Sequence, residues 1–74
     1  MPARLSRVIA VLGEYGIDVS PPRGGGSHWK AKCAGHRSYG LPAHNGEKSI
    51  IADSYIQALC RNFGLDVDEF KGKL

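Results

Sequence analysis

Gly24-Gly25-Gly26-Ser27-His28-Trp29-Lys30-Ala31-Lys32 is the stretch whose reading decides the fold. Three glycines lead into a Ser-His pair, and from His28 onward polar and apolar residues alternate. Successive side chains of a strand point to opposite faces. As a strand, this run puts Trp29, Ala31 and Cys33 on one side and His28, Lys30 and Lys32 on the other. With Trp29 turned to the core, an imidazole followed by two ammonium groups lines the open side. Such a row suits a surface that holds a polyanion and acts on it.

The segments on either side supply neighbours for this strand. Upstream, Ile17-Asp18-Val19-Ser20 alternates in the same way. Pro21-Pro22 closes it, because proline cannot donate to a ladder and belongs at an edge or a strand end. Downstream, Ala34-Gly35-His36-Arg37 reads as a hairpin turn, with Gly35 able to take a positive φ. Ser38-Tyr39-Gly40-Leu41 alternates again and ends at Pro42. Its large residues, Tyr39 and Leu41, face inward. Small Ser38 and Gly40 face outward and leave room for a ligand beside the histidine row.

Helical periodicity brackets these strands. Pro2 suits a first helical turn, and Leu5, Val8, Ile9 and Leu12 recur at the spacing of one buried helical face. Gly16 is the better of two glycines for ending that helix. Ala43-His44-Asn45-Gly46-Glu47-Lys48 reads as a loop around the turn dipeptide Asn45-Gly46. Asp53 is an N-cap candidate for a second helix, carried by Ile56, Leu59, Cys60 and Phe63 and stopped by Gly64. Asp66-Val67-Asp68-Glu69 has the form of a capping box, so a further single turn is expected there. The reading is an α+β domain in the order helix, strand, strand, strand, helix. Its three-stranded antiparallel sheet carries both helices on one face and leaves the other face open.

At 74 residues there is room for one domain, spanning 1–74, which would bury roughly 60% of its unfolded surface. Cys33 and Cys60 match no zinc or thioredoxin-like spacing and read as reduced core thiols. The apolar run Val8-Ile9-Ala10-Val11-Leu12 is too short to cross a membrane and lacks a cleavage pattern after it, so a cytoplasmic protein with no membrane association is expected. The net charge of +3 is concentrated. Arg23, Lys30, Lys32, Arg37 and Lys48 stand against Glu47 alone, while the rest of the chain has five basic and six acidic residues. An excess localised around the Ser-His pair favours an anionic partner. By itself, so small an excess reads better as a solvated face.

His28 is the sharpest chemical candidate. An imidazole with an ordinary pKa near ~6.5 exchanges protons close to neutral pH. Cleavage of RNA by proton transfer needs such a group at the ribose 2′-OH or the leaving oxygen. Lys30 and Lys32 would hold the phosphate and offset its developing charge. Residue type and spacing alone nevertheless favour an ordinary surface histidine. His44, in the loop after the third strand, and Ser27 are the secondary candidates, and His36 reads as surface. Arg23, Arg37 and Lys48 join the two lysines as candidate RNA contacts. No histidine pair has a ligand spacing, so no metal is expected, and no cofactor motif is present.

Three motifs occur in order over nearly the whole chain: Gly26-Ser27-His28-Trp29-Lys30, Leu41-Pro42-Ala43-His44-Asn45-Gly46, and a last helix ending in Asn62-Phe63-Gly64-Leu65. In this the sequence resembles the HicA toxins, the ribonuclease members of HicA/HicB toxin–antitoxin pairs. The resemblance implies a double-stranded-RNA-binding-like αβββα fold and cleavage of mRNA by a translation-inhibiting toxin. It implies a catalytic histidine at the Ser-His position, here His28, and a HicB-type antitoxin that covers the active face. His44 carries over as a motif position without an assigned role. The alternative is a non-catalytic module on the same scaffold that binds single-stranded RNA without cutting it.

Overall fold

A computed structural model describes residues 2–23, 28–43 and 45–74. Its centre is a three-stranded antiparallel sheet of β2 (Asp18–Ser20), β3 (His28–Lys32) and β4 (Tyr39–Pro42), with β3 in the middle. Val19 pairs with Ala31, Trp29 with Leu41 and Ala31 with Tyr39, so the inward residues of all three strands form one layer. The expected alternation holds along β3: His28, Lys30 and Lys32 are exposed, Ala31 is buried and Trp29 is half-buried. β2 begins one residue later than expected. The Ile17 amide donates to the Leu12 carbonyl at 3.0 Å, which commits it to the end of the preceding helix.

That helix, α1 (Leu5–Glu14), ends as its glycine requires. Gly16 has φ 76°, and its N–H reaches the Gly13 carbonyl at 3.1 Å. With the Ile17 bond this satisfies carbonyls that the helix end would otherwise orphan. The buried stripe differs from the expected one, since Val11 is fully buried and Ile9 only half-buried. Tyr15, one turn beyond Val11 on the same flank, packs its ring 6.0 Å from that of Phe70. A third helix therefore covers the Val11 side, which helical spacing alone could not indicate.

Further elements depart from the simple αβββα order. A two-stranded ribbon pairs β1 (Ala3–Arg4) with β5 (Ile50–Ile51). Pro2 consequently precedes a strand, and the helix starts only at Leu5, whose N–H donates to the Ser49 carbonyl at 2.8 Å. Between β4 and β5 lies a short 3-10 turn at Gly46–Lys48, with Gly46 at φ 63°. α2 (Asp53–Phe63) buries Ile56, Leu59, Cys60 and Phe63 as its periodicity requires. Its N-cap is Ala52 instead of Asp53. Asp53 is turned sideways, accepting from Gln57 Nε2 at 2.7 Å and pairing with Lys71 at 2.7 Å.

The expected single turn at the end is a helix of its own, α3 (Val67–Gly72). Asp66 caps it by accepting from the Glu69 N–H at 2.9 Å. Glu69 does not complete the box. Its carboxylate accepts instead from the Tyr15 hydroxyl at 2.9 Å, which ties α3 to α1. Phe70 enters the same cluster as Leu5, Val8, Leu12, Ala31, Leu41, Ile56 and Leu59. That cluster holds residues of all three helices and the inward sheet residues, so the helices lie on one side of the sheet. Cys60 lies inside it, where burial pushes its thiol pKa up, and Cys33 is half-buried at its margin. Among the described residues, no helix is long and apolar enough to cross a membrane.

Candidate nucleic-acid interface

The uncovered face of the sheet carries the polar set that alternation leaves there. Across it stand Asp18 and Ser20 from β2, His28, Lys30 and Lys32 from β3, and Gly40 from β4, all exposed. The register places Lys30 between Ser20 and Gly40, Lys32 opposite Asp18, and His28 opposite Pro42. Gly40 leaves the flank of His28 open. Among the described residues, a Cβ built there would meet only His28 Cδ2, at 3.8 Å, which is ordinary van der Waals contact. The outward Gly40 therefore gives the space that the alternation of its strand implies.

On the opposite flank, the chain leaving β2 bends up beside the row. Ser20, Pro21, Pro22 and Arg23 line a groove of about 580 Å³ together with His28, Lys30 and Lys32. A hydroxyl, two pyrrolidine rings, three cations and an imidazole thus meet in one concavity. Three like charges in one groove repel one another, and an anion bound among them relieves that repulsion. Asp18, opposite Lys32, is the acidic residue that the same face presents.

Of the candidate residues, the fold gathers Arg23, His28, Lys30 and Lys32 around this groove. Arg37 is exposed in the β3–β4 connection, at the Lys32 end of the row, where its carbonyl accepts from Asn62 Nδ2 at 2.7 Å. Lys48 is exposed in the 3-10 turn after β4. Neither lines the groove. His36 stands beside Arg37, exposed, with its ring edge-on to Phe63 at 5.8 Å. Ser27 and His44 lie outside the described residues.

Ser20, Pro21 and Pro22 were not among the sequence candidates. The available signal was alternation: Ser20 shares the outward phase of Asp18, so its hydroxyl belongs to the face of the lysines. Tyr39 and Trp29 are half-buried against the core. Burial is also the first cause of the raised pKa of the Tyr39 phenol. Both aromatics pack the sheet from beneath. Among the described residues, no group of three histidine, cysteine or acidic side chains is placed to hold a metal. No known protein family, curated protein or solved structure matches this chain.

Proposed function

We propose that this protein is a toxin of the HicA type: an endoribonuclease that needs no metal, cuts mRNA and thereby stops translation. In this reading the αβββα core is a double-stranded-RNA-binding-like scaffold, elaborated by the β1–β5 ribbon and by α3. The observation that carries it is the groove itself, in which the exposed His28 shares one concavity with Arg23, Lys30 and Lys32.

The chemistry follows from those groups. An RNA phosphate seated among Arg23, Lys30 and Lys32 has its charge neutralised as the phosphorus becomes five-coordinate. His28 either takes the proton of the ribose 2′-OH as that oxygen attacks, or gives a proton to the leaving 5′-oxygen as its bond to phosphorus breaks. The second proton transfer falls to another group, for which His44 and Ser27 are the candidates. A toxin of this kind works in the cytoplasm and is held in check by a HicB-type antitoxin. Such a partner would cover the open sheet face and present acidic groups to the lysine row.

The test is degradation of single-stranded RNA by purified wild-type protein and His28→Ala, both in chelator, with folding checked by circular dichroism. Cutting by the wild type alone is the expected result. If neither protein cuts but both bind RNA with a steep salt dependence, the scaffold is a binding module. Equal cutting by both would remove His28 from the chemistry and make His44 the next residue to substitute.

A further inference from the structure

The two flanks of the His28–Lys32 row differ in a way that phosphate binding does not explain. On the β4 side Gly40 offers no side chain beside Lys30, and Pro42 stands opposite His28 without lining the groove. On the β2 side, Ser20, Pro21, Pro22 and Arg23 form a wall. A phosphate needs the cations of this groove and has no use for two proline rings. The volume of about 580 Å³ falls within the range of small-molecule sites, ~300–1,000 Å³, and far exceeds what one phosphate group fills.

The wall has the chemistry of a nucleobase platform. Pyrrolidine rings present flat C–H surface that packs against the face of a heteroaromatic ring. Proline has its φ set in advance, so little freedom is lost when a ligand settles on it. Pro22 is half-buried and Pro21 exposed, which anchors one ring in the fold and leaves the other open to contact. Beside them the Ser20 hydroxyl can donate to or accept from a base edge. Arg23, Lys30 and Lys32 supply charge for a phosphate in the same concavity.

We infer that this groove is a nucleotide subsite in which Arg23, Lys30 and Lys32 hold a phosphate and Pro21 and Pro22 carry the base attached to it. The Ser20 hydroxyl meets the edge of that base. The inference rests on the reading of this face as an RNA surface, but it does not require that RNA be cut. It makes the groove a reader of one nucleotide of the bound RNA, with whatever base preference Ser20 and the proline wall impose.

Nucleoside monophosphates contain no phosphodiester to cleave, so the wild-type chain can be titrated with them directly. Binding of the four 5′-monophosphates, of ribose 5-phosphate and of inorganic phosphate is measured by calorimetry at low salt. At least one nucleotide should bind about tenfold more tightly than ribose 5-phosphate, a difference of ~1.4 kcal/mol. In Pro21→Gly and Pro22→Gly that ratio should fall toward one while ribose 5-phosphate binds as before. Lys30→Ala should weaken all six ligands together. Four nucleotides binding no better than ribose 5-phosphate would overturn the inference, as would an unchanged ratio in both folded proline variants. Should those variants fail to fold, the ligand series on the wild type decides alone. Nucleotide binding without RNA cleavage would sink the nuclease and leave the subsite, and cleavage with no base contribution would do the reverse.

Discussion

Phe70→Ala tests whether the last helix is part of the core or an appendage. Phe70 is 0% exposed and shares a cluster with Leu5, Leu12, Ile56 and Leu59. Truncating a buried phenylalanine to alanine removes the transfer energy of the ring and leaves a cavity, together worth about 3–5 kcal/mol. A domain of this size has a total stability of roughly 4–11 kcal/mol at the usual 0.05–0.15 kcal/mol per residue. The substitution therefore consumes a large part of it. With a shift of about 4–8 °C per kcal/mol for small domains, Tm should fall by at least ~12 °C. Urea unfolding followed by circular dichroism gives the free energy, and a thermal melt gives the second measure. Phe70→Leu, which keeps most of the volume, should lose much less. A loss below about 1 kcal/mol for Phe70→Ala would mean that α3 is not seated in the core, and the account of Val11 burial would fall with it.

Gly40→Val should leave the fold intact, since φ there is not in the left-handed region and, among the described residues, a Cβ meets only His28 Cδ2 at 3.8 Å. If the protein is the ribonuclease proposed above, crowding the space beside His28 should slow RNA cleavage on the order of 10²-fold, with Gly40→Ala in between; wild-type rates for the valine variant would place the substrate elsewhere. Tyr15, whose pKa is pushed up to about 12 by burial and by its hydrogen bond to Glu69, favours the folded state only while protonated. Its contribution is whole below pH 10 and is lost as pH rises toward 12, so Tyr15→Phe should flatten the alkaline decline in urea midpoint. The carboxyl of Asp53 is held well below its ordinary range, first by Lys71 and also by Gln57. It contributes stability above the ordinary carboxylate pKa that fades as pH falls through the depressed one. Asp53→Asn should accordingly weaken acid sensitivity below about pH 4, an effect that shrinks in high salt because the pair is solvent-accessible.

Much of this protein follows from local period alone. The two-residue alternation of His28-Trp29-Lys30-Ala31-Lys32 dictates that a histidine and two lysines share a face, because one face of any sheet must be buried. The spacing of Ile56, Leu59, Cys60 and Phe63 specifies the buried side of α2, and the left-handed conformation open to Gly16 specifies where α1 stops. Tertiary structure decided what period cannot express. β1 and β5 are two residues each, too short to alternate, and exist only because each pairs with the other. Val11 is buried because α3 folds back over its flank, and Glu69 leaves its capping box because Tyr15 comes within reach. The groove belongs to the same class. Arg23 and the proline pair join His28 because β2 lies antiparallel beside β3, so the chain leaving Ser20 passes the histidine end of the row. Arg37 and Lys48, equal to Arg23 in charge, fall outside because their connections leave the sheet elsewhere. Charge and alternation are properties of the chain, whereas convergence on one groove depends on contacts between segments distant in it.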